Sequence, residues 1–443
     1  LIVTMTVQET IPLTGVETSN NVPPLTTTAP KPLRICLLGY RSAPFVGGQG
    51  IYINYLSKAL VDAGHSVDVI SGPPYPHLDP RVKLIKMPSL DLFEAESHVK
   101  ALKWHHLKSF SDTFEWWSML TGGFSEPYTF SRRVAKHLKT HGHKYDLVHD
   151  NQTLGHGILK IQRRGMPLVT TIHHPITRDR ELALAAATNW KYRLLSKRWY
   201  NFLRMQTKVA RKLNHVITVS KRSRKDIAEA FGLAESNITL MYNGIDTKTF
   251  RPMPDVEPKP MRIITTASAD QPLKGLRYLL AAIARLKPAY PELELRVIGK
   301  LRKGGPTEKQ LRKLGLESSV SFVSGISTEE LVTQYNKANI AVSPSLYEGF
   351  GLPAGEAMSC GTAVISSDGG ALPEVVGDAG LVVPAGNSKA LAEAIKQYLE
   401  NPEQLADFAK AGRQRIVETF SWQVKAQQLT RYYNDILNKK GAR

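Results

Sequence analysis

Two carboxylates and three glycines stand close together in Ser343-Pro344-Ser345-Leu346-Tyr347-Glu348-Gly349-Phe350-Gly351-Leu352-Pro353-Ala354-Gly355-Glu356, with seven residues between Glu348 and Glu356. Gly349 and Gly351 leave the backbone amides unobstructed. Amides aimed outward at a helix start form a cradle for a phosphate or pyrophosphate. Carboxylates accept hydrogen bonds from several hydroxyls at once, so glutamates on either side of that cradle suit a sugar or a ribose. Taken singly, Glu356 also reads as a helix-dipole partner and Glu348 as solvated loop charge. Taken together, they predict a site for a phosphorylated, polyhydroxylated ligand.

The flanking residues supply the elements that position this site. Asn339-Ile340-Ala341-Val342 is a short apolar run of the kind found in covered parallel strands, and Pro353 belongs in the first turn of a helix that carries Glu356 in about that turn. The same pattern occurs near the other end of the chain. Leu33 to Gly39 reads as a strand, Gly47-Gly48-Gln49-Gly50 as a glycine turn opening an amphipathic helix through Leu60, and Gly64 to Ile70 as a second strand. That order is a Rossmann-like half-unit. The glycines do not spell G-x-G-x-x-G and no acidic residue ends the second strand, which disfavours dinucleotide binding; close helix–strand packing competes with ligand contact as the reason for the turn. Further strands read at 145–150 and 167–172, the latter running into His173-His174-Pro175, where residues face the ligand crevice of an open sheet. Prolines 252, 254, 258 and 260 read as a linker, and strands at 261–267, 293–299, 320–325 and 362–365 form a second alternating series.

The chain has 443 residues, 42% of them hydrophobic and 22% charged, enough for two domains with full cores. Its two cysteines, Cys36 and Cys360, fall in different expected domains, which fits a reducing cytoplasm better than a disulfide framework. Residues 1–32 read as an unstructured tail without a secretory pattern, and no apolar run has the length of a membrane span. The net charge of +19 is concentrated: residues 95–225 hold 25 Lys+Arg against 8 Asp+Glu, or +17. Such a face attracts polyanions. It coincides with an aromatic stretch at 90–130, which reads either as a cap on the core or as an amphipathic surface, and with a long basic helix expected at 188–213. No nucleic-acid motif accompanies the charge.

The ordered set of motifs resembles retaining glycosyltransferase family four, of the GT-B type, over about residues 33–438. Besides E-x7-E, the resemblance is carried by Thr170-Thr171-Ile172-His173, Tyr242-Asn243-Gly244-Ile245-Asp246, Lys274-Gly275, Gly369-Gly370 with Pro373-Glu374, and Phe420-Ser421-Trp422. It implies two Rossmann-like domains facing each other across a cleft: 33–250 for the acceptor, 251–418 for the nucleotide sugar, and 419–443 as a helix returning to the first domain. The implied reaction moves a hexose, from a UDP-sugar by expectation, to an acceptor hydroxyl with retention. The departing phosphate acts as base, without a cofactor, and without a metal because no D-x-D pair is present. His173, Glu348 and Lys274 take the catalytic positions, with His174 as second choice to His173. Gly48, Ser268, Lys274, Ser324, Gly349, Phe350, Gly351, Leu352 and Glu356 are the implied donor-binding set, Glu356 on ribose and Glu348 on the transferred sugar. One departure stands out: the family has an arginine six positions before the phosphate-binding lysine, where this chain has Ser268, which cannot place a cation. Arg302 or Lys303 is the expected substitute. The basic, aromatic first domain predicts an anionic membrane surface, a lipid-linked acceptor such as a diacylglycerol glycolipid, and a peripheral place at the cytoplasmic leaflet. A soluble acceptor, a sugar-nucleotide epimerase and a non-catalytic basic adaptor are the alternatives.

Overall fold

A computed structural model describes residues 31–44, 48–92, 103–186, 189–267 and 270–441. Residues 1–30 of the expected tail, Gly47, Phe93 and Ser268 lie outside the described residues.

Among the described residues, short apolar runs bounded by turns become thirteen parallel strands in two sheets. The first sheet holds β1 (Arg34–Gly39), β2 (Ser66–Ser71), β3 (Lys83–Lys86), β4 (Leu147–Asn151), β5 (Leu168–Ile172), β6 (Val216–Thr218) and β7 (Ile238–Leu240), in the order β3-β2-β1-β4-β5-β6-β7. The second holds β8 (Lys259–Thr266), β9 (Glu294–Ile298), β10 (Val320–Val323), β11 (Ala338–Ser343), β12 (Ala363–Ser367) and β13 (Leu381–Val383), in the order β10-β9-β8-β11-β12-β13. Every paired register in both sheets is parallel, for example Leu37 opposite Val69 and Ala341 opposite Val364. β4 and β5 are buried along their whole length, as expected of strands covered by helices on both faces. Strand order reverses between β1 and β4 in one sheet and between β8 and β11 in the other. In open α/β sheets ligands bind outside the carboxyl ends of strands at such switch points.

The chain crosses between the lobes twice. Gly244 lies against Trp422, where a Cβ would come within 2.2 Å of the indole. Ile245 N donates to the Phe420 carbonyl at 2.6 Å beside an isolated bridge to Ser421. The helix Trp422–Gly441 then packs on the first sheet: Trp422, Ala426, Leu429 and Tyr433 join Ile53, Leu56, Leu60 and Val67 in one core cluster. Cys36 and Cys360 are both buried and free.

Two expectations are corrected. The helix expected at 188–213 is two helices, Trp190–Trp199 and Phe202–Ala210, and the break lets Trp199 and Phe202 both pack on Phe124, each at 5.2 Å between ring centroids. The aromatic stretch divides between its two readings. Phe130, on the helix Glu126–His141, is buried in the core, while Trp104, Phe110 and Trp117 are exposed.

Candidate active site

In the second lobe, β11 runs into the glycine turn and then the helix Leu352–Ser359, while β8 is followed by the short turn Pro272–Lys274. These are the segments after the two switch-point strands, and they touch. A Cβ on Gly275 would lie 1.9 Å from the Pro344 carbonyl oxygen, and φ there is 67°, so glycine is required twice over. Leu346 N donates to the Leu273 carbonyl at 2.7 Å. This docking sets Lys274 Nζ 2.7 Å from Glu348 Oε1, which also accepts from Ser345 Oγ at 2.8 Å. The lysine and the first glutamate of the motif therefore form one charged pair, two-thirds or more shielded from solvent.

Gly351 adopts a φ of 99° and closes on Leu372, whose Cδ2 would be 2.7 Å from a Cβ. Gly349 is different: a Cβ there would meet nothing within 4 Å, so the backbone is open to a ligand. The Phe350 side chain is buried against Phe420, and Leu352 packs on the same core cluster. Only their backbone amides are left for an anion, which narrows the role expected of these two residues. Glu356 stands in the second turn of its helix rather than the first, on the side of Tyr335, whose hydroxyl donates to Glu356 Oε2 at 3.5 Å and pairs with Thr266 Oγ1 at 2.9 Å. Burial pushes the Glu356 carboxyl up to about 7, and the Tyr335 hydroxyl pulls it down.

Ser324 is exposed directly after β10, three strands from β11, and no described contact joins it to Lys274, Glu348 or Glu356. Near the Ser268 position, Thr307 donates through N and Oγ1 to Asp270 Oδ1 at 2.9 and 2.7 Å. This holds the turn carrying exposed Arg302 and Lys303 beside Asp270.

In the first lobe, His173 follows β5, and its amide donates to Gln152 Oε1 at 2.7 Å. Its Nε2 lies 2.7 Å from Asn151 Oδ1, an acceptor only, so Nε2 carries the proton and Nδ1 is the free acceptor. Asn151 Nδ2 in turn reaches the Gln49 carbonyl at 3.5 Å, tying the histidine to the glycine-turn helix. The Tyr52 ring meets His173 edge-on at 4.5 Å. Burial, with His174 and Lys425 nearby, pushes His173 down to about 3, so it is neutral at physiological pH. His174 is exposed. Gly48 opens its helix with free space around a notional Cβ, whereas a Cβ on Gly50 would lie 2.1 Å from the Ala43 carbonyl oxygen. The turn thus serves packing at Gly50 and leaves Gly48 accessible.

Two groups near the site escaped the sequence reading. Lys425, from the returning helix, is buried and donates to the Met241 and Tyr242 carbonyls at 3.1 and 2.9 Å, its ammonium 5.4 Å from the Tyr52 ring centroid. His149 bridges Thr171 Oγ1 at 2.7 Å and the Tyr433 hydroxyl. Both depend on packing between segments hundreds of residues apart, and neither has a local signal.

The family model described as Glycosyltransferase Family 4 matches residues 46–249, and that described as Glycosyl transferases group 1 matches residues 251–415. The chain is 45% identical over 415 residues to the MMP alpha-(1->4)-mannosyltransferase of Mycolicibacterium hassiacum, covering 93% of this chain and 100% of that one. It is 25% identical to the phosphatidyl-myo-inositol mannosyltransferase of Mycolicibacterium smegmatis, covering 91% and 94%. Among solved structures, sucrose-phosphate synthase from Thermosynechococcus elongatus matches with a TM-score of 0.65 at 24% identity, covering 92% of this chain and 100% of that one. Anabaena Alr3699/HepE in complex with UDP matches with a TM-score of 0.65 at 18% identity, covering 91% and 100%. These two likenesses establish the GT-B fold. With both halves matched in order and a full-length relative at 45% identity, the chain belongs to the family-four glycosyltransferases.

Proposed function

We propose that this enzyme is a retaining α-mannosyltransferase that moves mannose from a nucleoside-diphosphate donor to a saccharide hydroxyl, forming an α-(1→4) linkage. The observation that carries this reading is the 45% identity, over the full length of the relative, to an enzyme whose name specifies that sugar and linkage. Nucleoside-diphosphate mannose is α-linked, so an α product means retention. A mannosyl donor replaces the UDP-hexose expectation with a nucleobase to be found by assay, and family membership favours transfer over the epimerase alternative.

The site chemistry supports the same reading. Breaking the anomeric bond leaves charge on the β-phosphate, and Lys274 with the amides of residues 349–352 is preorganised to receive it. The Lys274–Glu348 pair keeps a cation and a carboxylate 2.7 Å apart, one for the phosphate and one for the sugar hydroxyls. Glu356 holds the ribose. His173, neutral and fixed with Nδ1 as acceptor, takes a hydroxyl of the transferred sugar across the cleft. Gly48 and Ser324 border the donor, and Arg302 or Lys303 supplies the cation missing at Ser268. The acceptor hydroxyl attacks on the face the phosphate leaves, and the departing oxygen takes its proton. Incubation with GDP- and UDP-sugars plus mannoside acceptors, read by product mass, tests the assignment; mannoside from no donor overturns it.

One observation favours a lipid-linked acceptor as a second reading. Trp104 (88%), Trp190 (69%), Leu194 (60%) and Phe110 (55%) are exposed. The helices Phe110–Leu120 and Trp190–Trp199 meet at their C-terminal ends, with Arg198 5.7 Å from the Trp117 ring and donating to Thr121 at 3.0 Å. Basic residues interleaved with exposed aromatics suit an anionic bilayer, at about 1 kcal/mol per Lys or Arg. No helix among the described residues is long and apolar enough to cross a membrane, so adhesion would be peripheral. Co-sedimentation with liposomes of rising anionic lipid content, at low and high salt, tests it; indifference to anionic lipid with full activity on a soluble acceptor refutes it.

A further inference from the structure

The acceptor lobe reaches into the phosphate turn of the donor lobe. Ser220 caps the helix Lys221–Phe231: its Oγ accepts from Ser223 N at 2.9 Å and donates to the Gly349 carbonyl, also at 2.9 Å. Ser223 Oγ donates to the same oxygen at 3.3 Å. The amides of Lys221 and Arg222 donate to the Glu374 carboxylate at 2.7 and 2.8 Å. A helix start leaves its first amides without intrahelical acceptors, and here two of them are satisfied by the opposite lobe. Ser220 and Ser223 are both fully buried. The Gly369-Gly370 turn brings Glu374 beneath the motif, with Ala371 N donating to the Glu348 carbonyl at 2.9 Å.

In a planar trans peptide the C=O and the following N–H point in opposite directions. With the Gly349 carbonyl drawn to Ser220 and Ser223, the Phe350 N–H faces away from the acceptor lobe, and the carbonyl oxygen is kept out of the cradle. Glycine at 349 allows more backbone conformations than any other residue, and a Cβ there would meet no atom within 4 Å, so side-chain packing does not fix this peptide. Turned over, it would present an oxygen to the phosphate. We propose that Ser220 and Ser223 are positioning residues for the diphosphate cradle, fixing the Gly349–Phe350 peptide from the opposite lobe so that the cradle is complete only when the two lobes meet. This rests on the donor site proposed above and deepens it: affinity for the donor's diphosphate depends on two hydroxyls of the acceptor lobe.

The test is calorimetric titration of GDP, UDP, GMP and UMP into the full chain, wild type and variants. Ser220→Ala combined with Ser223→Ala removes both bonds to the carbonyl and is expected to weaken binding of the preferred diphosphate by about tenfold, at roughly 0.5–1 kcal/mol per bond. The matching monophosphate should change by less than about twofold, because the loss lies at the β-phosphate. Ser223→Ala alone keeps the helix cap and carries the test if the double variant does not fold, with about a threefold loss expected. Tyr347→Phe is the control: Tyr347 donates to Asp226 Oδ2 at 2.7 Å, joining the same lobes without touching the Gly349 carbonyl. It should leave diphosphate binding within about twofold of wild type. An equal loss in Tyr347→Phe would mean that lobe adhesion alone is responsible and overturns the assignment, as does unchanged binding in the serine variants. Wild-type protein that binds neither diphosphate overturns the donor reading itself.

Discussion

Donor affinity should depend on pH through Glu356. In the second lobe burial pushes this carboxyl from 4.5 up to about 7. If it holds the ribose as proposed, two hydroxyls donating to it favour the ionised form. With half-ionisation near 7, the ionised share is roughly one in eleven at pH 6 and ten in eleven at pH 8, so affinity should rise by up to about tenfold across that window. The diphosphate of the ligand titrates over part of the same range, but it does so equally against Glu356→Gln. Calorimetric titration of nucleoside diphosphate at pH 6, 7 and 8 on both proteins therefore isolates the side chain in the ratio of their affinities. Wild type should gain on the variant as pH rises, and parallel profiles would refute the ribose assignment. The linkage to folding has the opposite sense. The folded protein holds a proton that the unfolded chain releases from about 4.5 upward, so Glu356 lowers ligand-free stability as pH rises towards 7. Glu356→Gln should accordingly melt higher than wild type at pH 8 and show no such advantage near pH 4.5.

Lys274→Met removes the cation paired with Glu348 and should lower kcat by about 100- to 1,000-fold, as loss of a preorganised oxyanion donor does in other enzymes; near-normal kcat/KM would remove Lys274 from the mechanism. His173→Ala should lower turnover by about three- to tenfold, the worth of one neutral hydrogen bond, while leaving nucleotide binding nearly intact. His174→Ala should do less, and the reverse ranking refutes the choice between them. Because His173 is held neutral down to about 3, its contribution should not vary between pH 5 and 9. On the proposed role of Lys274 and the helix amides in receiving the phosphate charge, turnover should survive EDTA; loss restored by Mn²⁺ or Mg²⁺ contradicts this.

Much of the donor lobe was legible because its signals are local. The apolar run before Ser343, the two glycines and Pro353 each dictate one piece of strand, turn and helix, and the helix does begin at Leu352 beside that proline. Resemblance put Lys274 and Glu348 in one site but did not pair them, because 74 residues separate them and only the β8–β11 switch point brings their turns together. Phe350 illustrates another gap: motif spacing shows where a residue lies, not which way its side chain points, and here the ring goes to Phe420 while the amide remains. The break at Tyr200-Asn201 has no glycine or proline to announce it and follows from both flanking aromatics packing on Phe124. The buried Lys425 and the Ser220–Gly349 contact are long-range products of how the lobes and the returning helix meet, which no stretch of sequence encodes alone.

The anomeric configuration and linkage of the product are the sharpest measure of the proposed mannosyl transfer. The protein would be incubated with GDP-mannose, or with the mannosyl donor it prefers, and a 4-hydroxyl-bearing mannoside, and the purified product analysed by NMR. A single new α-(1→4)-linked mannose is expected, formed from an α-linked donor with its configuration kept. A β-linked product, or hydrolysis of the donor with no new glycoside on any mannoside acceptor, would contradict it.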